Sequence, residues 1–340
     1  MEMTKKEGIA LITNEDLLTL GKQADEIREN KFGNLATFVI DRNINYTNIC
    51  QNECKFCAFF RRKKQKDAYC LTINEILEKV REAVKLGATQ IMLQGGLNPE
   101  LGLEYYEKIL RLIKNQFNIT IHSFTATEIQ YFAKLEGISI LETLKRLRAA
   151  GLDSLPGGGA EILVDTVRKR ISPRKISSYD WLNVMKIAHS IGMKSTATMV
   201  IGFGETLEQR IEHMEKIRNL QNETGGFRAF IMWSFQPKNT QLGGEKINAW
   251  DYMKTLAVSR IYLNNIEHIQ GSWVTQGERI GQLTLGFGAD DLGSIMLEEN
   301  VVKAAGTSYE MSKQKMIDLI KSTGKVPAQR DTEYKIIKKF

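Results

Sequence analysis

From about Thr37 to Ser322 the chain alternates short apolar runs of β character with amphipathic stretches of helical period. Strand candidates are Phe38–Asn45, Gln90–Gln94, Ile119–Phe124, Ser154–Leu155, Ser195–Ile201, Arg228–Phe235, Ile266–Val274 and Ile295–Glu298. Helical patterns lie between them, among them Ile73–Lys85, Leu103–Lys114, Ile140–Ala149, Tyr179–Ser190, Leu207–Gln221 and Trp250–Leu263. Gly87, Gly151 and Gly192 follow three of these helices, where a left-handed C-cap is needed. Strands separated by helices pair in parallel, and the helices cover the sheet. Eight such units predict an α/β fold, a (β/α)8 TIM-type barrel over residues 37–325. A short helical extension (1–36) precedes it and a tail (326–340) follows. Within the extension, residues 13–30 read as one helix with Thr13 or Asn14 as N-cap. No linker divides the chain, so a single domain is expected.

Composition narrows the setting. With 42% hydrophobic residues among 340, the chain can bury a sizeable core. No apolar run approaches the eighteen or so residues of a membrane span, and Met1–Glu7 lacks the apolar core of a signal peptide. Four cysteines, three of them clustered, make no disulfide framework, so a reducing cytoplasm fits. The net charge of +7 is mild, and its densest patch is Arg61-Arg62-Lys63-Lys64-Gln65-Lys66. Such a run is usually a solvated loop. No aromatic platform is interleaved with it for stacking bases, so nucleic acid is not the expected partner. A basic rim can instead receive an acidic electron donor.

The clustered cysteines form Cys50-Gln-Asn-Glu-Cys54-Lys-Phe-Cys57, a C-x3-C-x2-C loop just after the first strand candidate. Soft thiolate ligands select iron–sulfur clusters or zinc. Three thiolates leave one metal position open to something from solution. A structural zinc knuckle or a closed electron-transfer cluster would need Cys70 as a fourth ligand. Cys70 sits in the apolar lead-in to a helix, where an isolated cysteine is expected to pack as a small hydrophobe.

Barrel sites form at the C-terminal ends of the strands. There the sequence places Gln94-Gly95-Gly96 after the second strand candidate, His122-Ser123 at the third, and Pro156-Gly157-Gly158-Gly159-Ala160-Glu161 at the fourth, with Arg168 on the next helix. Paired glycines let a ligand approach the backbone closely. Arg168 can present a fork to a ligand carboxylate. The seventh candidate leads into His268-Ile-Gln270-Gly-Ser272-Trp-Val-Thr275-Gln276-Gly277, and Asp290-Asp291 follows. Polar residues this dense at strand ends suit a hydroxyl-rich substrate. His122, His189 and His213 show no metal-ligand spacing, and the last two sit in helical patterns as structural residues.

With these residues in view, the chain resembles the radical S-adenosylmethionine (SAM) enzymes of the futalosine route to menaquinone and of deazaflavin synthesis. The likeness runs from about residue 35 to 325. It rests on the cysteine loop with Phe56 before its last thiol, on Gln94-Gly-Gly-x-Asn-Pro99, on Pro156-Gly-Gly-Gly-Ala-Glu161-Ile-Leu and on Gly288-Ala-Asp-Asp-Leu-Gly293. Asn-Asp is the more usual pair where this chain has Asp290-Asp291. Within the group, His268–Gly277 is most similar to the branch that cyclises dehypoxanthine futalosine. The resemblance implies a [4Fe–4S] cluster held by Cys50, Cys54 and Cys57, with SAM chelating the fourth iron. It implies SAM contacts from Phe56, Gln94, Gly95, Ser123, Glu161 and Arg168. Ser272 and Gln276 would bind the substrate, and His268 and Asp291 would serve catalysis. It implies hydrogen abstraction at the ribose C4′ by a 5′-deoxyadenosyl radical, ring closure onto the benzoate, and a low-potential donor such as flavodoxin or ferredoxin.

Overall fold

The structure, a computed structural model, describes residues 2–307 and 309–340. The N-terminal extension holds two helices rather than one. Thr4 caps Lys5–Asn14 through a reciprocal box with Glu7, and Asp16 caps Leu17–Phe32 by accepting from the Leu18 and Thr19 amides. The expected start at Thr13 or Asn14 is thus the end of a helix. Asp16 is the stronger cap, and Glu15 before it is extended.

The strands are β1 (Leu35–Val39), β2 (Asp41–Ile44), β3 (Gln90–Leu93), β4 (Thr120–Ile121), β5 (Ser195–Ile201) and β6 (Phe227–Ser234). They continue with β7 (His268–Gln270), β8 (Asp291–Ser294), β9 (Val326–Arg330) and β10 (Ile336–Lys339). They form two sheets, not one closed sheet: β10-β9-β1-β8-β7-β6-β5 and β2-β3-β4. Every pairing is parallel except β10 with β9. Ile40 alone separates β1 from β2. The expected strand at Ser154–Leu155 is present only as two isolated parallel bridges, His122 to Ser154 and Leu155 to Ser195. The strand expected at Ile295–Glu298 lies upstream, at Asp291–Ser294. The tail is not loose: β9 pairs with β1, and β10 folds back on β9. The result is an α/β domain with a mostly parallel sheet.

The covering helices form for ordinary reasons. In Ile73–Lys85, Thr72 makes a capping box with Glu75, and Ile76, Leu77, Val80 and Ala83 form the buried stripe. Burying a side chain such as Ile76 or Val80 contributes roughly 1.5–3 kcal/mol. Gly151 ends the helix Ile140–Ala150 at φ +119°, in the left-handed region that favours glycine. His213 is fully buried and neutral: its Nδ1 accepts from the Leu163 amide, and burial pushes its pKa down to about 3. Among the described residues no helix is long and apolar enough to cross a membrane.

Candidate active site

Side chains alternate across a strand, so every second residue faces the interior. That alternation lines a cavity of about 400 Å³ with Val39, Asp41, Asn43 and Asn45 from β2 and its flanks. Gln90, Met92 and Gln94 face it from β3, Thr196, Thr198 and Val200 from β5, and Gln270 and Ser272 from β7. The three clustered cysteines border the same cavity, whereas Cys70 does not. Cys70 is exposed rather than packed, because the chain there makes an antiparallel bridge with Thr47 before Thr72 caps the next helix.

The cysteine loop is closed at its base by a bridge between Ile49 and Arg61, with the Cys50 amide donating to the Arg61 carbonyl at 3.1 Å. The Arg61 guanidinium then gathers the carbonyls of Ala58, Phe59 and Phe60 (2.8–3.3 Å) and the carboxylate of Asp67. Arg62 pairs with Glu53, and Lys63 with Glu100. The basic run is therefore largely engaged in local pairs, and it adds little stability, since exposed ion pairs contribute about 0–1 kcal/mol. Gly96 makes room for the loop: a Cβ there would meet the Ile49 carbonyl oxygen at 2.2 Å. Burial pushes the Cys54 thiol up to about 12, and raises Cys57 as well. Both thiols hold their protons until a metal displaces them.

Beside the loop, the glycine pair is arranged differently from expectation. The Gly95 amide donates to Glu128 at 3.0 Å and the Gly96 amide to the Thr47 carbonyl at 2.9 Å, so neither N–H is free for a ligand. Gln94 and Gly95 still line the cavity. The Pro156–Glu161 loop lies flat on β5, where a Cβ at Gly157 would meet backbone atoms of residues 196–198 at 2.7 Å. It brings Glu161, at φ +40°, to the cavity wall. Glu161 Oε1 accepts from Lys175 Nζ at 2.7 Å, while buried Oε2 lies 3.6 Å from Arg168 Nη1 and has no hydrogen-bond partner among the described residues. Lys175 also lies 5.4 Å from the centre of the Phe56 ring, which packs against Phe203 at the same separation. Burial alone would lower the Lys175 pKa, but the Glu161 carboxylate reverses the direction and keeps it charged.

Several expected site residues are placed elsewhere. Arg168 is buried and off the cavity wall; its guanidinium holds the carbonyls of Gly159, Ala160 and Ile176, so it shapes the glycine loop and has no fork left for a ligand. Ser123 is fully buried, its hydroxyl accepting from the Leu93 amide at 2.8 Å. His268 opens β7, at the N-terminal end of the strand, and is off the cavity wall. Its ring stacks on Tyr334 (3.6 Å between centroids), and its Nδ1 bonds Asp290 Oδ2 at 2.6 Å. Asp291 is fully buried and bidentate with Arg330 (2.6 and 2.9 Å), with Thr37 and the Gly293 amide as further donors. Ser272 does line the cavity and caps the short helix Trp273–Gln276. Gln276 reaches the wall indirectly, through the hydroxyl of Ser234.

Lys175, Arg228 and Arg330 were not expected from the sequence, and all three border the cavity. Nor were Asp41, Asn43 and Asn45. They recur with a period of two, the spacing that puts polar side chains on one face of a strand.

Can these residues hold a cluster and SAM? Among the described residues no three His, Cys, Asp or Glu side chains lie close enough to hold one metal ion. Cavity-lining residues carry buried atoms of both kinds that lack a hydrogen-bond partner among the described residues: acceptors on Asn43, Asn45 and Glu161, the last 3.6 Å from the Arg168 guanidinium, and donors on Trp233 and Arg228. A polar ligand bearing an amino group, a carboxylate and hydroxyls matches them. Residues 44–217 match the family described as Radical SAM superfamily, and residues 224–339 match the CofH/MqnC C-terminal region. The chain belongs to the radical SAM superfamily. Membership brings a [4Fe–4S] cluster and SAM.

Among its relatives, cyclic dehypoxanthine futalosine synthase of Streptomyces coelicolor is 46% identical over 98% of this chain and 85% of its own. The enzyme of that name from Halalkalibacterium halodurans is 45% identical over 99% and 92%. The 5-amino-6-(D-ribitylamino)uracil–L-tyrosine 4-hydroxyphenyl transferase of Archaeoglobus fulgidus is 43% identical over 92% of both. In fold, the chain is similar to the FeFe-hydrogenase maturase of Carboxydothermus hydrogenoformans (TM-score 0.78, 17% identity, covering 98% and 77%). It is a radical SAM enzyme homologous to cyclic dehypoxanthine futalosine synthase.

Proposed function

We propose that this radical SAM enzyme closes dehypoxanthine futalosine into its cyclic product in menaquinone biosynthesis. The observation that carries the reading is full-length identity of 46% and 45% to two enzymes so named. The cavity supports it: polar walls suit a ribose, and the apolar faces of Met92, Val200, Ile231 and Trp233 suit an aromatic ring. Cys50, Cys54 and Cys57 would hold the cluster. Phe56, Gln94, Gly95 and Glu161 would border SAM, with Lys175 added from the geometry. When bound, the reduced cluster and SAM would supply the 5′-deoxyadenosyl radical chemistry needed for hydrogen abstraction at the ribose C4′.

The protein's own part is positioning and exclusion of water. Ser272 and Gln276, the latter through Ser234, would orient the substrate. Arg168, Ser123, His268 and Asp291 would act by holding the walls in place. We read the two sheets and the bridges at Ser154 and Leu155 as one ring of eight parallel strands around this cavity. A low-potential flavodoxin or ferredoxin in a reducing cytoplasm completes the proposal.

A substrate panel tests it. Reduced, cluster-loaded enzyme with SAM should yield cyclic product from dehypoxanthine futalosine, and no adduct from either an enolpyruvyl benzoate or tyrosine with 5-amino-6-(D-ribitylamino)uracil. Turnover of either rival substrate instead would reassign the enzyme to the aminodeoxyfutalosine or deazaflavin branch.

A further inference from the structure

The cavity has two charged ends. At the mouth, Lys175 is neutralised by Glu161. At the floor lie Arg228 and Arg330, whose charges together with burial hold His122 neutral, burial being the larger cause. Arg330 has no free edge: Asp291 takes Nε and Nη2, and the Asp331 carbonyl takes Nη1. Arg228 differs. Its side chain is only 9% exposed, and Nη1 pairs with Glu333. Its Nε and Nη2 are buried and have no hydrogen-bond partner among the described residues. Those two nitrogens form one edge of the guanidinium, the edge that grips a carboxylate with two parallel N–H···O bonds. A buried guanidinium edge left bare is costly, so its place in a binding cavity points to an anion that completes it.

Depth agrees with this. Glu161 sits level with Val200, its carbonyl accepting from that amide at 2.9 Å, and Val200 pairs with Trp233 on β6. From Trp233 back to Arg228 the strand runs about 16 Å. A ligand whose reacting end lies near the mouth and whose anion lies at the floor must therefore be long, with its charge at the far end.

We propose that Arg228 receives the aryl carboxylate of the substrate at the floor of the cavity, so that the benzoate enters first and the ribose is left facing the cysteine loop. The assignment rests on the substrate proposed above. It makes Arg228 a binding and orienting residue that sets selectivity for an acid over a neutral arene.

The test is equilibrium binding to the unreduced, cluster-loaded enzyme, measured by calorimetry with dehypoxanthine futalosine and with its carboxamide. The unaltered enzyme should bind the acid about ten- to a hundredfold more tightly than the amide, the range of a charge-assisted pair. Arg228→Gln should bring that ratio close to one, and Arg228→Lys should fall between, with iron content and SAM affinity unchanged in both. Equal binding of acid and amide by the unaltered enzyme would overturn this assignment alone. So would a full ratio surviving in Arg228→Gln. Failure of the unaltered enzyme to bind either compound would overturn the substrate reading, and this assignment with it.

Discussion

Cys54→Ala is expected to lose its cluster and all activity, while Cys70→Ala keeps both. Cys54 is buried at the cavity, and its thiol, held protonated by burial, becomes a ligand only when a metal displaces the proton. With two thiolates left, the loop cannot hold a cluster whose fourth iron must stay open. Cys70 is exposed and off the cavity wall, so its removal should change stability by less than about 0.5 kcal/mol. Anaerobically reconstituted protein should carry about four irons per chain, unchanged in Cys70→Ala. Iron lost from Cys70→Ala would mean a closed four-thiolate site and would remove the open iron from the account.

Asp291→Ala is expected to cost about 3–5 kcal/mol of stability, the range for removing one partner of a buried ion pair. Asp291 is fully buried, and its carboxylate is engaged by Arg330, Thr37 and the Gly293 amide, which leaves it no capacity to act on a substrate. Without it the Arg330 guanidinium stays buried with two N–H groups unpaired. The pair also ties β9 to β8 beside β1, so the floor of the cavity should loosen with it. Replacing both partners with apolar residues of similar volume should recover much of the loss. Urea unfolding of the single and double variants measures this. An Asp291→Ala protein of normal stability that binds substrate but fails to turn over would return Asp291 to a catalytic role.

These two residues illustrate what the sequence could reveal. Local chemistry was legible where a cap and a period agreed. The helix Ile73–Lys85 begins at the Thr72–Glu75 box, and β5 spans its apolar run from Ser195 to Ile201. The cysteine loop was legible because its ligands are contiguous. β8 was not, since Asp291 opens it and reads as loop until Arg330, far along the chain, neutralises it. For the same reason the hairpin of β9 and β10 passed for a tail: its partner β1 lies at the other end of the chain. His268 misled because polarity near a strand marks a site only at one end, and the register of β7 places it at the other. Lys175 and Arg228 carry no motif. Their meaning comes from Glu161 beside one and from the missing partner of the other.

Radical attack is placed at the ribose of dehypoxanthine futalosine. Dehypoxanthine futalosine deuterated at C4′ and incubated with reduced enzyme and SAM tests it in one chromatogram. Deuterium should pass into 5′-deoxyadenosine as the cyclic product forms. Deuterium-free 5′-deoxyadenosine and no cyclic product, with an adenosylated adduct formed instead from an enolpyruvyl benzoate, would contradict it.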